Sequence, residues 1–190
     1  GIKGFFWNAL PGETVTEYEI TKKKSHYFEA VALKIENPSD RRIEPKDSCS
    51  LSTSPWQILS YDFELEQKAL LLEEVFRQQG ITANQLFYVA TNNKDFFYRN
   101  KMEYSLYYDY EDKKLHLGFH LRGTHRKIKV ETSSIEHPEI FEKAQEIVND
   151  LNENTPTAET TNRYFCAVIK TERSKADSMK TASLIPFSKT

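Results

Sequence analysis

The sequence predicts an α+β chain, in which a small N-terminal β unit precedes an antiparallel sheet packed with two helices. Three observations carry that expectation. Residues 1–37 break into short apolar runs separated by turn residues. Two stretches, near 60–79 and 138–152, repeat apolar residues at helical spacing. Between them, from Phe96 to Val130, apolar and polar residues alternate with period two, as in strands that bury one face.

In chain order, Ile2 to Trp7, Thr14 to Ile20 and His26 to Ile35 are expected as strands, with turns at Leu10-Pro11-Gly12-Glu13 and Lys22-Lys23-Lys24. Tyr27, Val31, Leu33 and Ile35 share one face of the third strand. From Asn37 to Pro55 the composition shifts to Pro, Ser, Asp and other charged residues without a period, which marks a linker. The expected domains are therefore 1–44 and 45–190. In the second, Leu65, Ala69, Leu72 and Phe76 stripe one helix that Gly80 stops, and Ile140, Ala144, Ile147 and Leu151 stripe another that opens at Pro138.

The alternating stretch also predicts its own register. Phe96, Tyr98, Met102, Tyr104, Leu106 and Tyr108 lie on one face, followed by Leu115, Leu117, Phe119 and Leu121, then Ile128 and Val130, with turns at 109–114 and 122–125. Pairing Tyr108 with Leu115 and Leu121 with Arg126 places Phe119 between Tyr104 and Ile128, and Leu117 between Leu106 and Val130. A one-residue slip would turn every apolar side chain to the wrong face. The reverse face then carries Arg99, Lys101, His116, His120, Lys127 and Lys129 together. The runs Arg163 to Thr171 and Met179 to Phe187 are expected to extend the same sheet.

The 190 residues carry a formal net charge of −2, so charge alone does not make the molecule a nucleic-acid binder, and any such binding belongs to a local face. Cys49 and Cys166 do not form a disulfide framework, which fits the cytoplasm, and Cys166 sits in an apolar run as a buried thiol rather than a nucleophile. No apolar run is long enough for a membrane span, and the N-terminus lacks the build of a signal peptide. The chain starts at Gly1 rather than Met, as an excerpt of a longer protein would.

Several blocks resemble the S-adenosylmethionine-dependent RNA (uracil-5-)-methyltransferases. They are Asn8-Ala9-Leu10-Pro11-Gly12-Glu13 with the basic 22–24 run, Pro38 and Arg41, then Trp56-Gln57-Ile58-Leu59-Ser60-Tyr61, Tyr98-Arg99-Asn100-Lys101-Met102, and Leu117 through His125. The resemblance implies a TRAM-like N-terminal domain, a small OB-like β-barrel that contacts RNA, followed by the central sheet domain of such an enzyme. It implies RNA, transfer or ribosomal, as the partner. Many members hold a 4Fe-4S cluster through a Cys-x5-Cys-x2-Cys run and a fourth cysteine. Here Leu51 and Ser54 stand at the second and third positions, Cys49 is at best a vestige of the first, and Ser133 or Ser134 stands at the fourth, so no cluster is expected. The family's chemistry also needs a nucleophilic cysteine, a base and a Gly-rich turn for S-adenosylmethionine. None is present, so this chain is expected to be inactive alone, without cofactor or metal, its catalytic domain lying elsewhere in the full-length protein.

The candidate RNA contacts are Lys22, Lys23, Lys24, Arg99, Lys101, His120, Arg122, Arg126, Lys127 and Lys129. The bland alternative is a solvated sheet face and an ordinary charged turn, with Glu103 opposite His120 and Glu131 opposite His116 as cross-strand partners. Arg41 and Arg42 are equally plain linker charges. His116 and His120 lie roughly 13 Å apart along a strand, too far for one metal ion. Two further functions stay open: a stand-alone RNA-binding adaptor, and a protein-interaction module with no nucleic-acid role.

Overall fold

The computed structural model describes residues 2–82 and 95–154, together with the backbone of two further strands at 168–173 and 179–185. Cys166 and residues 163–167 of the penultimate run lie outside the described residues. The chain divides into two compact units, 1–46 with 55–95, and 47–54 with 96–190.

In the first unit, β1 (Lys3–Trp7), β2 (Thr14–Lys23) and β3 (Tyr27–Glu36) form one sheet in the order β1-β3-β2. β2 and β3 pair antiparallel, whereas β1 runs parallel to β3 with Lys3 opposite Tyr27. Here the expected barrel is corrected to an open sheet: among the described residues β1 and β2 are both edges, and closure requires each edge to find a partner. A short helix, α1 (Ser50–Thr53), lies in the second unit; the chain then returns to the first through a 3-10 turn (Pro55–Ile58) and α2 (Tyr61–Gln78). Ser60, in extended conformation, precedes α2, and Asp62 and Glu64 occupy its first turn, where negative charge suits the helix dipole. Gly80 ends it as expected: at φ +71 its N–H reaches the Arg77 carbonyl while Ile81 N–H reaches Phe76, a Schellman closure.

The second unit is built on a five-stranded sheet in the order β6-β5-β4-β7-β8, with every pairing antiparallel. Its strands are β4 (Lys101–Asp109), β5 (Lys114–His120), β6 (Lys127–Lys129), β7 (Val168–Arg173) and β8 (Met179–Ile185). The register is the one the alternation predicts. Tyr108 pairs with Leu115, Leu106 with Leu117 and Phe119 with Ile128, and Leu121 N–H donates to the Arg126 carbonyl at 2.8 Å. β7 and β8 extend the sheet beyond β4, as the last two apolar runs suggest.

Met102, Tyr104, Leu106, Tyr108, Leu115, Leu117 and Val130 make a buried face, covered by Ile140, Ala144 and Val148 of α3 (Pro138–Asn154). Pro138 is the first residue of α3, where its missing N–H costs no helical bond. α3 packs on β4, β5, β7 and β8. The expectation that both long helices back the sheet is corrected: α2 belongs to the first unit and buries none of its residues fully. Its apolar stripe identified a helix but carried no information about its partner. Near the end of α3, Asn152 accepts from Leu115 N–H at 2.8 Å and donates to Leu115 C=O at 2.9 Å. One side chain thus takes the place of a strand partner beyond the short β6.

Candidate nucleic-acid interface

Because side chains alternate along each strand, burying the Tyr104–Leu117–Val130 face sends Lys101, Glu103, Ser105 and Tyr107 of β4, His116, Gly118 and His120 of β5, and Lys127 and Lys129 of β6 to the reverse face. Gly118 sits at its centre for a steric reason. A Cβ there would lie 2.8 Å from Tyr107 Cβ and 3.2 Å from the Ile128 carbonyl oxygen.

The two ends of this face differ in charge. At the hairpin end, His116 Nε2 meets Asp112 at 2.7 Å rather than Glu131. Asp109, Asp112 and His116 bring donor atoms within 4.8 Å of one another, a grouping that sequence spacing on the strand had not indicated. The His116 hydrogen bond helps to hold the exposed Asp112 carboxyl below its usual range, against a desolvation that works to raise it. The other end carries Lys101, Glu103 and His120, and β6 brings Lys127 and Lys129 alongside. His120 pairs in register with Lys127, and Lys129 with Gly118. Lys127 Nζ donates to the Leu106 carbonyl at 2.9 Å, which stretches its side chain across the sheet. Lys101 lies 3.6 Å from Glu103, an exposed pair that constrains it little. His120, Arg126 and Lys129 make no side-chain hydrogen bond or ion pair among the described residues.

Arg99 stands just before β4 and is fixed through its backbone. Its N–H donates to the Ile135 carbonyl and its carbonyl accepts from His137 N–H, both at 2.9 Å. Its exposed guanidinium meets the Met102 sulfur at 3.8 Å, and no carboxylate lies within ion-pair range of it among the described residues. Arg99, Lys101 and Glu103 line a cleft of about 430 Å³ with Ser52, Thr53 and Ile135, a size that admits a nucleotide fragment. A planar guanidinium at such a mouth can grip a phosphate through two N–H groups or stack on a base. Arg122 is oriented differently from the other cations. Its Nε donates to the Leu51 carbonyl at 2.6 Å and its backbone N–H to Ser52 Oγ at 3.2 Å, so it fastens the 47–54 segment to the sheet.

Lys22, Lys23 and Lys24 belong to the first unit and the other seven candidates to the second. Lys22 lies 2.9 Å from Glu29 and 5.6 Å from the Tyr27 ring centroid, while Lys23 and Lys24 are exposed at the β2–β3 turn. In the same unit the structure shows what the Asn8–Glu13 block does locally. Glu13, whose side chain is 0% exposed, receives Arg42 Nε and Nη2 at 2.7 Å each, Leu10 N–H at 2.7 Å and Ser39 N–H at 3.0 Å. Arg42 also donates to the Asn8 side chain and carbonyl, and Asn8 Nδ2 donates to the Ala32 carbonyl. Asn8 and Gly12, both at positive φ, turn the chain so that these groups converge. The Arg42 hydrogen bonds, outweighing desolvation, hold the Glu13 carboxyl down at about 2. Arg42 is therefore a half-buried structural partner, not a linker charge, which an isolated Arg-Arg pair in sequence does not reveal.

The donor set does not fit an iron–sulfur cluster. Cys49 is buried, its sulfur 3.9 Å from the Thr132 carbonyl oxygen, and burial together with the Asp47 charge pushes its thiol up to about 11. Ser133 and Ser134 are engaged by Glu136 and Asp47, and hydroxyls do not replace thiolates on iron. Among the described residues the second sheet does not fit S-adenosylmethionine either: its pairings there are all antiparallel, without the βα crevice that holds such a donor. No described helix is long and apolar enough to cross a membrane.

No protein-family model matches the chain. It is 28% identical over 138 residues to the 23S rRNA (uracil(1939)-C(5))-methyltransferase RlmD of Shewanella sediminis, covering 69% of this chain and 30% of that protein. It is 30% identical over 135 residues to RlmD of Legionella pneumophila, covering 67% and 29%. It is 30% identical over 158 residues to an uncharacterised RNA methyltransferase of Listeria monocytogenes, covering 78% and 33%. The chain thus spans about three tenths of the length of the curated relatives it matches. The chain is therefore a homologue of RlmD-type 23S rRNA uracil-5-methyltransferases and of uncharacterised RNA methyltransferases.

Proposed function

We propose that this chain is the RNA-holding portion of an RNA (uracil-5-)-methyltransferase. It grips the backbone around a uridine of ribosomal or transfer RNA, while a catalytic domain elsewhere in the full-length cytoplasmic enzyme transfers the methyl group from S-adenosylmethionine. The first unit serves as its TRAM-like domain. The observation that carries this reading is the exposed Arg99 beside Lys101 at the mouth of one cleft, together with His120, Lys127 and Lys129 on the outer sheet face. A target base must leave its stack to be methylated, and flanking phosphates are what a rigid sheet with outward cations can hold meanwhile. The relatives' names support RNA as the partner.

The test is binding of the full chain to a structured, uridine-containing RNA at increasing salt. Affinity falling steeply with salt is expected, because each neutralised phosphate releases counterions. Salt-independent or absent binding would instead favour a protein-interaction module.

A further inference from the structure

The segment that would carry three cluster cysteines is cross-linked to the rest of the second unit by another chemistry. Asp47, 1% exposed, accepts from both the backbone N–H and the hydroxyl of Ser134, at 3.1 and 2.8 Å, and its own carbonyl receives Ser50 N–H at 3.0 Å. Glu136, 0% exposed, receives the Tyr104 hydroxyl from the sheet on one oxygen and Ser133 Oγ at 2.6 Å on the other. Arg122 closes the far side through Leu51 and Ser52. A buried carboxylate is costly unless it is hydrogen-bonded, and here Glu136 receives a donor on each oxygen and Asp47 two on Oδ2, so the pair marks a built feature.

The network leads to the cleft. Ser134 C=O receives Phe97 N–H, and the next residue, Ile135, receives Arg99 N–H, both at 2.9 Å. Ser52 and Thr53, on the segment that Asp47 anchors, form the cleft wall shared with Arg99. We propose that this Asp47–Ser134 and Glu136–Ser133–Tyr104 clamp replaces a metal cluster as the cross-link of the 47–54 segment, and that Asp47 and Ser134 act as positioning residues for Arg99. The positioning half rests on the RNA-holding reading above; the cross-link half does not.

The test uses the full chain in three measurements: iron and acid-labile sulfide content, melting temperature with and without a metal chelator, and affinity for a structured RNA. Expected are iron well below one atom per chain and melting indifferent to chelator. Ser134→Ala should melt roughly 3–8 °C lower while remaining folded, because a buried carboxylate loses a donor. It should bind RNA roughly 3- to 10-fold more weakly, and Ser134→Thr, which keeps the hydroxyl, should restore both. Cluster-level iron and sulfide, or melting lowered by chelator, would overturn the replacement. Ser134→Ala melting with the parent would overturn the clamp, and lowered melting with unchanged RNA affinity would overturn the positioning role. A parent chain that binds no RNA would defeat the RNA-holding reading and the positioning role with it, leaving the melting measurements to judge the clamp.

Discussion

Arg42 in the first unit and Arg99 in the second are both cations that a nucleic-acid partner could claim, and the fold uses them in opposite ways. Arg42, 19% exposed, turns inward and spends its donors on Glu13 and Asn8. Arg99 is secured by its backbone and leaves its guanidinium at the mouth of a cleft. A basic residue marks a binding surface only when something other than its own charge holds it in place. The same contrast separates Arg122, tied to Leu51, from Arg126 and Lys129 nearby.

The comparison is broken most sharply by removing Arg42. Arg42→Ala leaves the buried Glu13 carboxylate without its main partner and should cost about 3–5 kcal/mol, seen as a lower denaturation midpoint. RNA affinity of whatever remains folded should change little. Acid probes the same pair from the other side. Glu13 titrates near 2 when folded and near 4.5 when free, so its contribution is complete above about pH 4.5 and is lost as pH falls toward 2. That loss amounts to roughly 2–3 kcal/mol and should be absent from the acid unfolding of Glu13→Gln. Arg99→Ala should invert the pattern, leaving stability within about 0.5 kcal/mol of the parent while RNA binding weakens by about 1–2 kcal/mol. Lys129→Ala should weaken binding by less, with the log–log salt slope shallower by about 1. The smallest effect is expected at the acidic hairpin end, where His116→Ala should move RNA affinity by less than about twofold, since an exposed pair contributes little.

The sheet was legible because its information is local. A period-two run with polar turns permits one register that buries Tyr104, Leu117 and Val130 together, and Pro138 and Gly80 punctuate the helices where their chemistry requires. The partners of polar groups were not legible, because they meet across long stretches of chain. Glu13 and Arg42 are 29 residues apart and Asp47 and Ser134 87 apart, with no spacing rule to link them. The stripe on α2 likewise announced a helix without naming what it would lie against, and the strand pattern of 1–37 did not say whether its edges would close. Of the candidate contacts, sequence placed Lys101, His120, Lys127 and Lys129 on one face. It did not separate Arg99, free to meet a ligand, from Arg122, engaged as a structural tie.

The central claim is most directly tested by titrating the parent chain and Arg99→Ala with one structured RNA from about 50 to about 200 mM salt. The account predicts a steep loss of affinity with salt in both, with Arg99→Ala weaker by roughly 5- to 30-fold at the lowest salt and its log–log slope shallower by about 1. Superimposed curves, or curves that ignore salt, would contradict it.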